Sequence, residues 1–472
     1  MANTLTADDI RVGYIDAPDL EEASVAATLV CDEAGALLRI PYVRNPNAPD
    51  TDRFRAVSRW FHHNESAIPS TIIFTDTRGS VTLNGVRFAG SSGGPIDEGR
   101  LRARTVIFNN PRTFQDEYRV GQVTSTIDGL QEFAGFRPVS LDVTRVDNRN
   151  RVTVVVEADE HVDWDVDGVA YEVKANASWE GQEGTRFTIH NSAPLLTTTI
   201  RKGATPTEHL QAQRPIRALL VLAHGRPLFW RQHLLRDDEF PTWMMAGEPQ
   251  APSPVPVQLA ATVREAERTP TPDRDLVSPA LRISDLGPEG MSRWVRLYGE
   301  DDFRRAVEPV VEVLNGATKF LEPQLMMLAI GLDRFGAHSF ADGRQRRLSQ
   351  TILRCIERAD LDWPSIGPRV GIAKALANMN NDLKHPDRGS YPDGDALAVM
   401  VDLAKVIARA QLFPLLTVPE EGRESFFGWG DAASVVRAFR TTGITVDESG
   451  TMLRRHPPHV DGSPPQGKPG TR

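Results

Sequence analysis

Cysteine is nearly absent from this sequence. Only Cys31 and Cys355 occur in 472 residues, and they lie far apart. Two distant thiols cannot build a disulfide framework or a cysteine-based zinc site, and this sparse use of cysteine is typical of the reducing cytoplasm. We therefore expect a cytoplasmic protein without structural disulfides.

Long apolar runs are also missing. No stretch approaches the roughly 18 to 20 apolar residues that are needed to cross a bilayer. The first residues, MANTLTADDIRVGYIDAPD, lack the basic flank and apolar core of a secretory signal. We expect a soluble protein that does not bind a membrane.

Positive charge is not in excess, since the net charge is -9. This balance argues against permanent, tight binding to nucleic acid, which requires many basic side chains to neutralise phosphates. Residues 281–420, however, are close to neutral, so a transient RNA substrate is compatible with this segment. No phosphate-binding loop or dinucleotide fingerprint occurs, and we expect no cofactor.

The first 246 residues have the pattern of a β-rich domain. Short runs rich in Val, Thr, Ile and Phe alternate with Gly, Asn and Asp, for example at residues 25–31, 36–42, 71–75, 104–108, 140–145, 151–157, 170–175 and 186–189. The dipeptide Asn84-Gly85 predicts a tight hairpin between Val81 to Leu83 and Val86 to Phe88. Residues 217–223 and 227–235 fit either strand or helix. Nine or more strands predict a sandwich or an open barrel.

The pattern changes after residue 246. Proline is frequent in residues 247–284, which predicts a linker between domains because proline interrupts both helix and strand. Residues 285–445 then show a helical period of 3.6, with helices expected at 302–315, 322–335, 344–359, 369–385, 395–413 and 431–440. Residues 446–472 are rich in Pro and Gly and are predicted to be a disordered tail. The predicted fold class is α+β, a β-rich domain followed by an antiparallel helical bundle.

The best functional clue is the end of the helix predicted at 369–385. Asn380-Asn381-Asp382-Leu383-Lys384-His385 precedes Pro386, which places an imidazole, an amine and two carboxamides at one helix tip. Histidine can transfer a proton near neutral pH and lysine can face a phosphate, so this set could cleave a phosphodiester without a metal. Alternatively, Lys384 and His385 only stabilise the helix dipole, and Pro386 only ends the helix.

A resemblance favours the catalytic interpretation. The sequence NDLKHP at the helix end, together with FLEPQLMMLAIGLDRFG, SVTLNG and STIDGLQEF, resembles the ApeA-like anti-phage proteins. Proteins of that family join an N-terminal β domain to a C-terminal HEPN domain. The resemblance therefore implies antiviral defence of the abortive-infection type, a metal-independent endoribonuclease, an RNA substrate, a homodimer and a phage-derived trigger sensed by the β domain.

The resemblance also assigns roles to residues. His385 would be the general base or acid, Asn381 the positioning group and Lys384 the electrostatic partner. HEPN ribonucleases typically carry an arginine with four to six residues between it and the histidine, and here that position falls on Asn380. Because asparagine carries no charge, the cation must come from Lys384, from Arg388 or from a second subunit. Otherwise the helical domain is a degenerate module that only dimerises or binds a partner.

Further residues are candidates for contacts with RNA. Arg347, Arg354 and Arg358 recur at helical spacing, so they share one face and could follow an RNA backbone, although a solvated helix face explains them better. Asn380 and Arg388 are the remaining substrate-binding candidates. Residues 163–168 (DWDVDG) imitate the start of a calcium loop, but Lys174 occupies the position of the required glutamate. An acidic hairpin is therefore predicted there, and no metal site is expected.

Overall fold

The computed structural model describes residues 3–7, 9–20, 25–43, 57–61, 68–93, 96–108, 117–147, 149–182, 186–237, 242–243, 249–250, 254–276, 278–340, 344–385, 387, 391–418, 420–428 and 430–454. The chain divides into two compact units, Met1–Arg296 and Leu297–Arg472. No helix in the described part of the chain combines the length and the apolar character that crossing a bilayer demands.

The N-terminal unit is built on β-strands. They are β1 Ile10–Asp16, β2 Val25–Asp32, β3 Gly35–Tyr42, β4 Thr71–Asp76, β5 Gly79–Asn84, β6 Arg87–Ser92, β7 Asp97–Arg102, β8 Thr105–Phe108, β9 Val120–Ile127, β10 Val139–Val146, β11 Arg149–Val156, β12 His161–Val166, β13 Val169–Gln182, β14 Arg186–Ala204, β15 Trp230–Arg236, β16 Thr242–Trp243, β17 Pro249–Gln250 and β18 Val255–Leu259. Fourteen of these described strands form one sheet in the order β12-β13-β14-β9-β15-β18-β8-β5-β4-β1-β2-β3-β7-β6. Its pairings are antiparallel. The predicted α+β class is confirmed, and the β-rich domain is built on this one large antiparallel sheet.

The hairpin predicted at Asn84-Gly85 is wrong. Gly85 does have a positive φ of 65°, but β5 pairs with β4 and β8 inside the sheet, whereas β6 is a terminal strand of the sheet and pairs with β7. Asn84 is buried, and its carboxamide donates to the Thr71 hydroxyl at 2.8 Å. The residue thus fixes β5 to β4 and does not serve a two-residue turn.

The residues predicted as a linker, 247–284, contribute a strand to the sheet. β18 lies between β15 and β8 although it contains Pro256. Residues 255–257 pair with β15 and residues 257–259 pair with β8, so Pro256 has a strand on one side and behaves as an edge residue. Proline content therefore indicated irregular structure where the sheet continues. The domain limits 1–246 and 285–445 remain predictions.

Two segments of ambiguous pattern are now assigned. Residues 217–223 belong to helix α2, Pro206–His224, which follows the short helix α1, Leu130–Ala134, and residues 230–235 belong to β15. Helix α2 begins with a capping box, in which the Thr205 hydroxyl accepts from the Glu208 N–H and the Glu208 carboxylate accepts from the Thr205 N–H. The helix packs on β9 and β14 and carries His209 and Gln213 into the interior.

Gln213 connects helix α2 to the sheet. Its Nε2 donates to the Val123 carbonyl and to the Thr198 hydroxyl, each at 3.1 Å, and its Oε1 accepts from the Ser125 hydroxyl at 2.6 Å. Gln213, Ser125 and Thr198 are fully buried. Because each polar group finds a partner, the network holds the helix in one register on the sheet.

His233 extends this network. Its Nδ1 lies 2.7 Å from the Ser125 hydroxyl and its Nε2 lies 3.0 Å from the Thr262 hydroxyl. The ring is buried, and burial lowers its pKa to about 4. The folded protein therefore holds this imidazole neutral at pH values where a solvated histidine is protonated.

We expect His233 to make the N-terminal unit sensitive to acid. Unfolding exposes the ring, whose pKa then returns to about 6.5, so the unfolded chain takes up a proton between these values. The stabilisation is complete above pH 6.5 and is lost as the pH falls towards 4, with a loss of about 3 kcal/mol in the free energy of unfolding. Urea unfolding at pH 7.0, 6.0 and 5.0 should show a smaller fall for His233→Gln. The exposed His161 provides the control, because His161→Gln should keep the wild-type pH dependence.

The C-terminal unit is helical. Two short helices, α3 Val263–Ala266 and α4 Asp273–Leu276, precede α5, Ile283–Gly299, within which the two units divide. The described elements of the unit are then α6 Asp301–Leu314, α7 Leu321–Phe340, α8 Leu348–Arg358, α9 Arg369–Lys384, α10 Gly394–Ala410, α11 Leu412–Leu416, α12 Glu420–Gly428, α13 Asp431–Thr442, β19 Ile444–Val446 and β20 Met452–Arg454. Helix α7 packs against α6, α8, α9 and α10. The six helices predicted from periodicity are confirmed, with small shifts in their ends.

The segment predicted as a tail begins inside the folded unit. β19 and β20 form a hairpin in which Val446 pairs with Met452, so the fold extends to Arg454. Residues 455–472 lie outside the described residues.

Candidate functional site

Helix α9 carries the predicted site. It begins after Pro368 and ends at Lys384, because His385, the residue before Pro386, leaves the helical conformation with φ -128° and ψ 71°. Ile372, Leu376 and Met379 are among its buried apolar residues. The opposite face and the last turn are therefore available for polar side chains.

The three predicted catalytic side chains are exposed on this last turn. Asn381, Lys384 and His385 all lie at the surface. The backbone N–H of His385 donates to the Asn381 carbonyl at 3.0 Å, which keeps the histidine directly above the last helical turn. Within the described part of the chain, none of the three side chains forms a hydrogen bond or ion pair. They are thus free to contact a ligand.

Asn380 lies on the other side of the helix. Its side chain is only 1% exposed, and its Oδ1 has no hydrogen-bond partner. This burial argues against the substrate contact proposed for Asn380 from the sequence. The signal was present, because Ala373, Leu376 and Ala377 precede Asn380 by seven, four and three residues and form its apolar face.

The resemblance to HEPN ribonucleases allows a second position for the arginine of that family. With six intervening residues, which is also within the family's range, it falls on Asn378. Asn378 is exposed and lies on the same face of α9 as His385. The position compatible with a surface cation is therefore 378, and it is occupied by an uncharged residue.

The predicted arginine face is not continuous. Helix α8 begins at Leu348, so the exposed Arg347 precedes the helix and does not share its periodicity. Arg354 is half-buried, and its guanidinium lies 5.5 Å from the centre of the Phe340 ring. Arg358 is also half-buried, one turn further along α8. Arg388 lies outside the described residues, and RNA contacts of these arginines remain predictions.

The structure contains a cleft that the sequence did not indicate. Its volume is about 580 Å³, and it lies between α9, the start of α10 and the β19–β20 hairpin. Its lining includes Ala375, Asn378, Met379, Asp382, Tyr391, Asp393, Ala396, Thr451, Met452 and Arg454. No local motif could have identified it, because the cleft exists only where these three segments meet.

Most charged and phenolic groups around the cleft already have partners. Arg454 Nη2 lies 2.7 Å from the Asp393 carboxylate and 3.0 Å from the Asp395 carboxylate. The Tyr391 hydroxyl donates to Glu322 Oε1 at 2.9 Å, and this hydrogen bond raises the pKa of Tyr391. The cleft is therefore not a concentrated positive site.

The hairpin is fixed closely to α9. A Cβ at Gly371 would lie 2.0 Å from the Asp447 carbonyl oxygen, so only glycine allows this approach. Lys374 Nζ donates to the Glu448 carbonyl at 3.0 Å. The Asp447 carboxylate accepts from the Ser449 hydroxyl and the Thr451 N–H, which orders the hairpin loop and lowers the pKa of Asp447.

The described residues do not form a metal centre, since no three His, Cys, Asp or Glu side chains among them come together for one. The acidic sequence at 163–168 is a hairpin, as predicted: β12 pairs with β13, and Asp163, Asp165 and Asp167 are exposed. Cys31 and Cys355 are buried free thiols, and burial raises the pKa of Cys355 to about 12.

Comparison with known proteins gives a family match for the N-terminal part of the chain. Residues 11–239 match the family model described as ApeA N-terminal domain 1. Neither a curated protein nor a solved structure matches the chain significantly. The matched region includes β2 to β15 and most of β1, and it ends before α5 to α13.

Proposed function

Because residues 11–239 belong to the ApeA N-terminal domain family, we propose that this protein acts in anti-phage defence and that its helical unit is a HEPN endoribonuclease. The N-terminal unit would sense a phage-derived trigger in the cytoplasm and control the helical unit. Cleavage of RNA would then stop phage production by abortive infection.

The observation that supports the nuclease is the exposure of Asn381, Lys384 and His385 together at the end of α9. In the proposed reaction, His385 removes the proton from a ribose 2′-hydroxyl, and the 2′-oxygen attacks the adjacent phosphorus. The bond to the 5′-oxygen breaks, and that oxygen takes a proton. The products are a 2′,3′-cyclic phosphate and a free 5′-hydroxyl. Asn381 orients the phosphate, and Lys384 stabilises its developing charge.

A homodimer completes this chemistry. One chain supplies one histidine at the helix end, whereas the reaction needs a proton acceptor on one side of the phosphate and a proton donor on the other. Two copies of α9 facing one groove would supply both groups and two copies of Lys384. We therefore propose that RNA binds across two subunits.

The test is cleavage of total RNA by the purified full-length protein in EDTA. We expect wild type to produce fragments with 2′,3′-cyclic phosphate ends and His385→Ala to be slower by at least about 10². His161→Ala removes an exposed histidine of the N-terminal unit and should cleave like wild type. In bacteria challenged with phage, His385→Ala should lose protection, whereas His161→Ala should protect as well as wild type.

Asn380 favours a second candidate function. If the arginine position of the family pattern is position 380, the structure buries it, and the helical unit would then be a catalytically degenerate module that dimerises or binds a partner. In that case, wild type and His385→Ala would show the same low level of RNA cleavage, whether or not an extract of infected cells is added. Protection against phage would also survive His385→Ala.

A further inference from the structure

Two polar side chains in the cleft beside α9 have unused hydrogen-bonding capacity. Asn378 and Asp382 lie one helical turn apart and both line the cleft. Neither forms a hydrogen bond or an ion pair with another residue in the described ranges. By contrast, Arg454 is held by Asp393 and Asp395, and Tyr391 is held by Glu322.

These free groups determine the chemistry of a ligand. A carboxylate accepts hydrogen bonds and repels phosphate, and the guanidinium of Arg454 is already neutralised by two carboxylates. The cleft therefore does not suit a phosphate. Met379, Met452, Ala375 and Ala396 supply apolar lining. A volume of about 580 Å³ is ample for a planar heterocycle.

We propose that the cleft binds a guanine base. Guanine is the RNA base that presents two adjacent N–H donors, N1 and N2, which match the two oxygens of Asp382. Its neighbouring O6 accepts from the Asn378 carboxamide. Adenine, cytosine and uracil each offer a single donor group, which has an acceptor beside it rather than a second donor. A guanidinium group also offers paired donors, but it has no acceptor for the Asn378 N–H.

The position of the cleft gives this base a place in the proposed reaction. His385 follows Asp382 by three residues, on the same side of α9. A guanosine whose base occupies the cleft would hold its ribose and phosphate next to the helix end. The base site thus determines where RNA is cut, and this part of the inference rests on the proposed nuclease.

The base site is tested by calorimetric titration of the full-length protein with GMP, AMP and N-acetyl-argininamide. We expect GMP to bind about tenfold or more tightly than AMP, and Asp382→Asn to weaken GMP binding by a similar factor. Asp387→Asn removes an exposed carboxylate that does not line the cleft, and it should bind GMP like wild type. Equal binding of GMP and AMP, GMP binding unchanged by Asp382→Asn, or preferential binding of N-acetyl-argininamide would overturn the proposal.

Mapping the ends of RNA fragments separates this inference from the nuclease. If GMP binding depends on Asp382 but no RNA cleavage depends on His385, the guanine site is supported and the nuclease is contradicted. The opposite result is cleavage that depends on His385 without a guanine at a fixed position relative to the cut, and with cut sites that Asp382→Asn leaves unchanged. This result would contradict the guanine site and support the nuclease.

Discussion

An Asn380→Arg variant should unfold the C-terminal unit, whereas Asn378→Arg should fold normally and cleave RNA faster than wild type, but without the preference for guanine that is proposed for the cleft. Position 380 is 1% exposed, so an arginine there would bury an unpaired charge, which costs more than about 3 kcal/mol. Position 378 is exposed and shares the His385 face of α9, so an arginine there would supply the cation of the HEPN pattern that this sequence lacks, while it would remove the carboxamide proposed to bind guanine O6. We expect about a tenfold or larger increase in cleavage rate.

Thermal unfolding and the RNA assay measure these two effects separately. Asn380→Leu is the matched control for the buried position, because it removes a carboxamide oxygen without a partner and should be at least as stable as wild type. A stable Asn380→Arg protein with increased cleavage would show that position 380 faces the substrate. An Asn378→Arg protein that folds but cleaves no faster would contradict the prediction that a cation at position 378 assists cleavage.

Arg11→Met should destabilise the N-terminal unit by about 3 to 5 kcal/mol. The Arg11 side chain is 0% exposed, and its Nε and Nη2 contact the two Asp76 oxygens at 2.8 Å and 2.7 Å. Removal of the guanidinium leaves a buried carboxylate without its partner. The double variant Arg11→Met/Asp76→Leu removes both charges and should regain much of the lost stability. Arg264→Ala breaks an exposed pair with Glu33 and should change stability by less than about 1 kcal/mol.

The pH dependence of the stability of the same variants tests whether the ion pair between Arg11 and Asp76 causes this loss. The hydrogen bond from Arg11 holds the pKa of Asp76 below its ordinary value. The carboxylate therefore stabilises the fold above the ordinary pKa of aspartate, and this contribution is lost as the pH falls through the lowered pKa. Urea unfolding between pH 7 and pH 3 should show a smaller acid-dependent loss for the double variant. Equal stability of wild type and Arg11→Met at pH 7 would show that the pair is dispensable.

The sequence predicted helices and strands well where a single hydrophobic periodicity determines which residues are buried. Helices α6, α7, α9, α10 and α13 follow their apolar stripes, and strands such as β2 and β4 follow their runs of Val, Ile and Thr. Strand β1 shows the limit of this reasoning, because Ile10, Val12 and Tyr14 are exposed while Arg11 and Gly13 face inward. Arg11 points inward towards Asp76, and a Cβ at Gly13 would lie 2.3 Å from the Thr75 carbonyl oxygen. Both contacts are distant in sequence, so local alternation could not reveal them.

The candidate site was predictable in part. The residue types around Pro386 located the exposed tip of α9, and helical spacing placed Asn381 and His385 on one side. The cleft could not be foreseen, because Asp382 and Met452 are 70 residues apart and meet only after the hairpin has packed on α9. Pro256 and Asn84 show the same limit, since their neighbours on adjacent strands determine their conformation.

The packing of the β19–β20 hairpin on α9 restricts how the protein could be switched on. The Gly371 contact and the Lys374 hydrogen bond brace the outer side of the helix, while Ile372 and Leu376 anchor its inner side. Because the helix is supported on two sides, we expect activation to proceed without its melting or refolding. Under the proposed function, a trigger sensed elsewhere would therefore act by admitting RNA to an already formed helix end, or by bringing two such ends together.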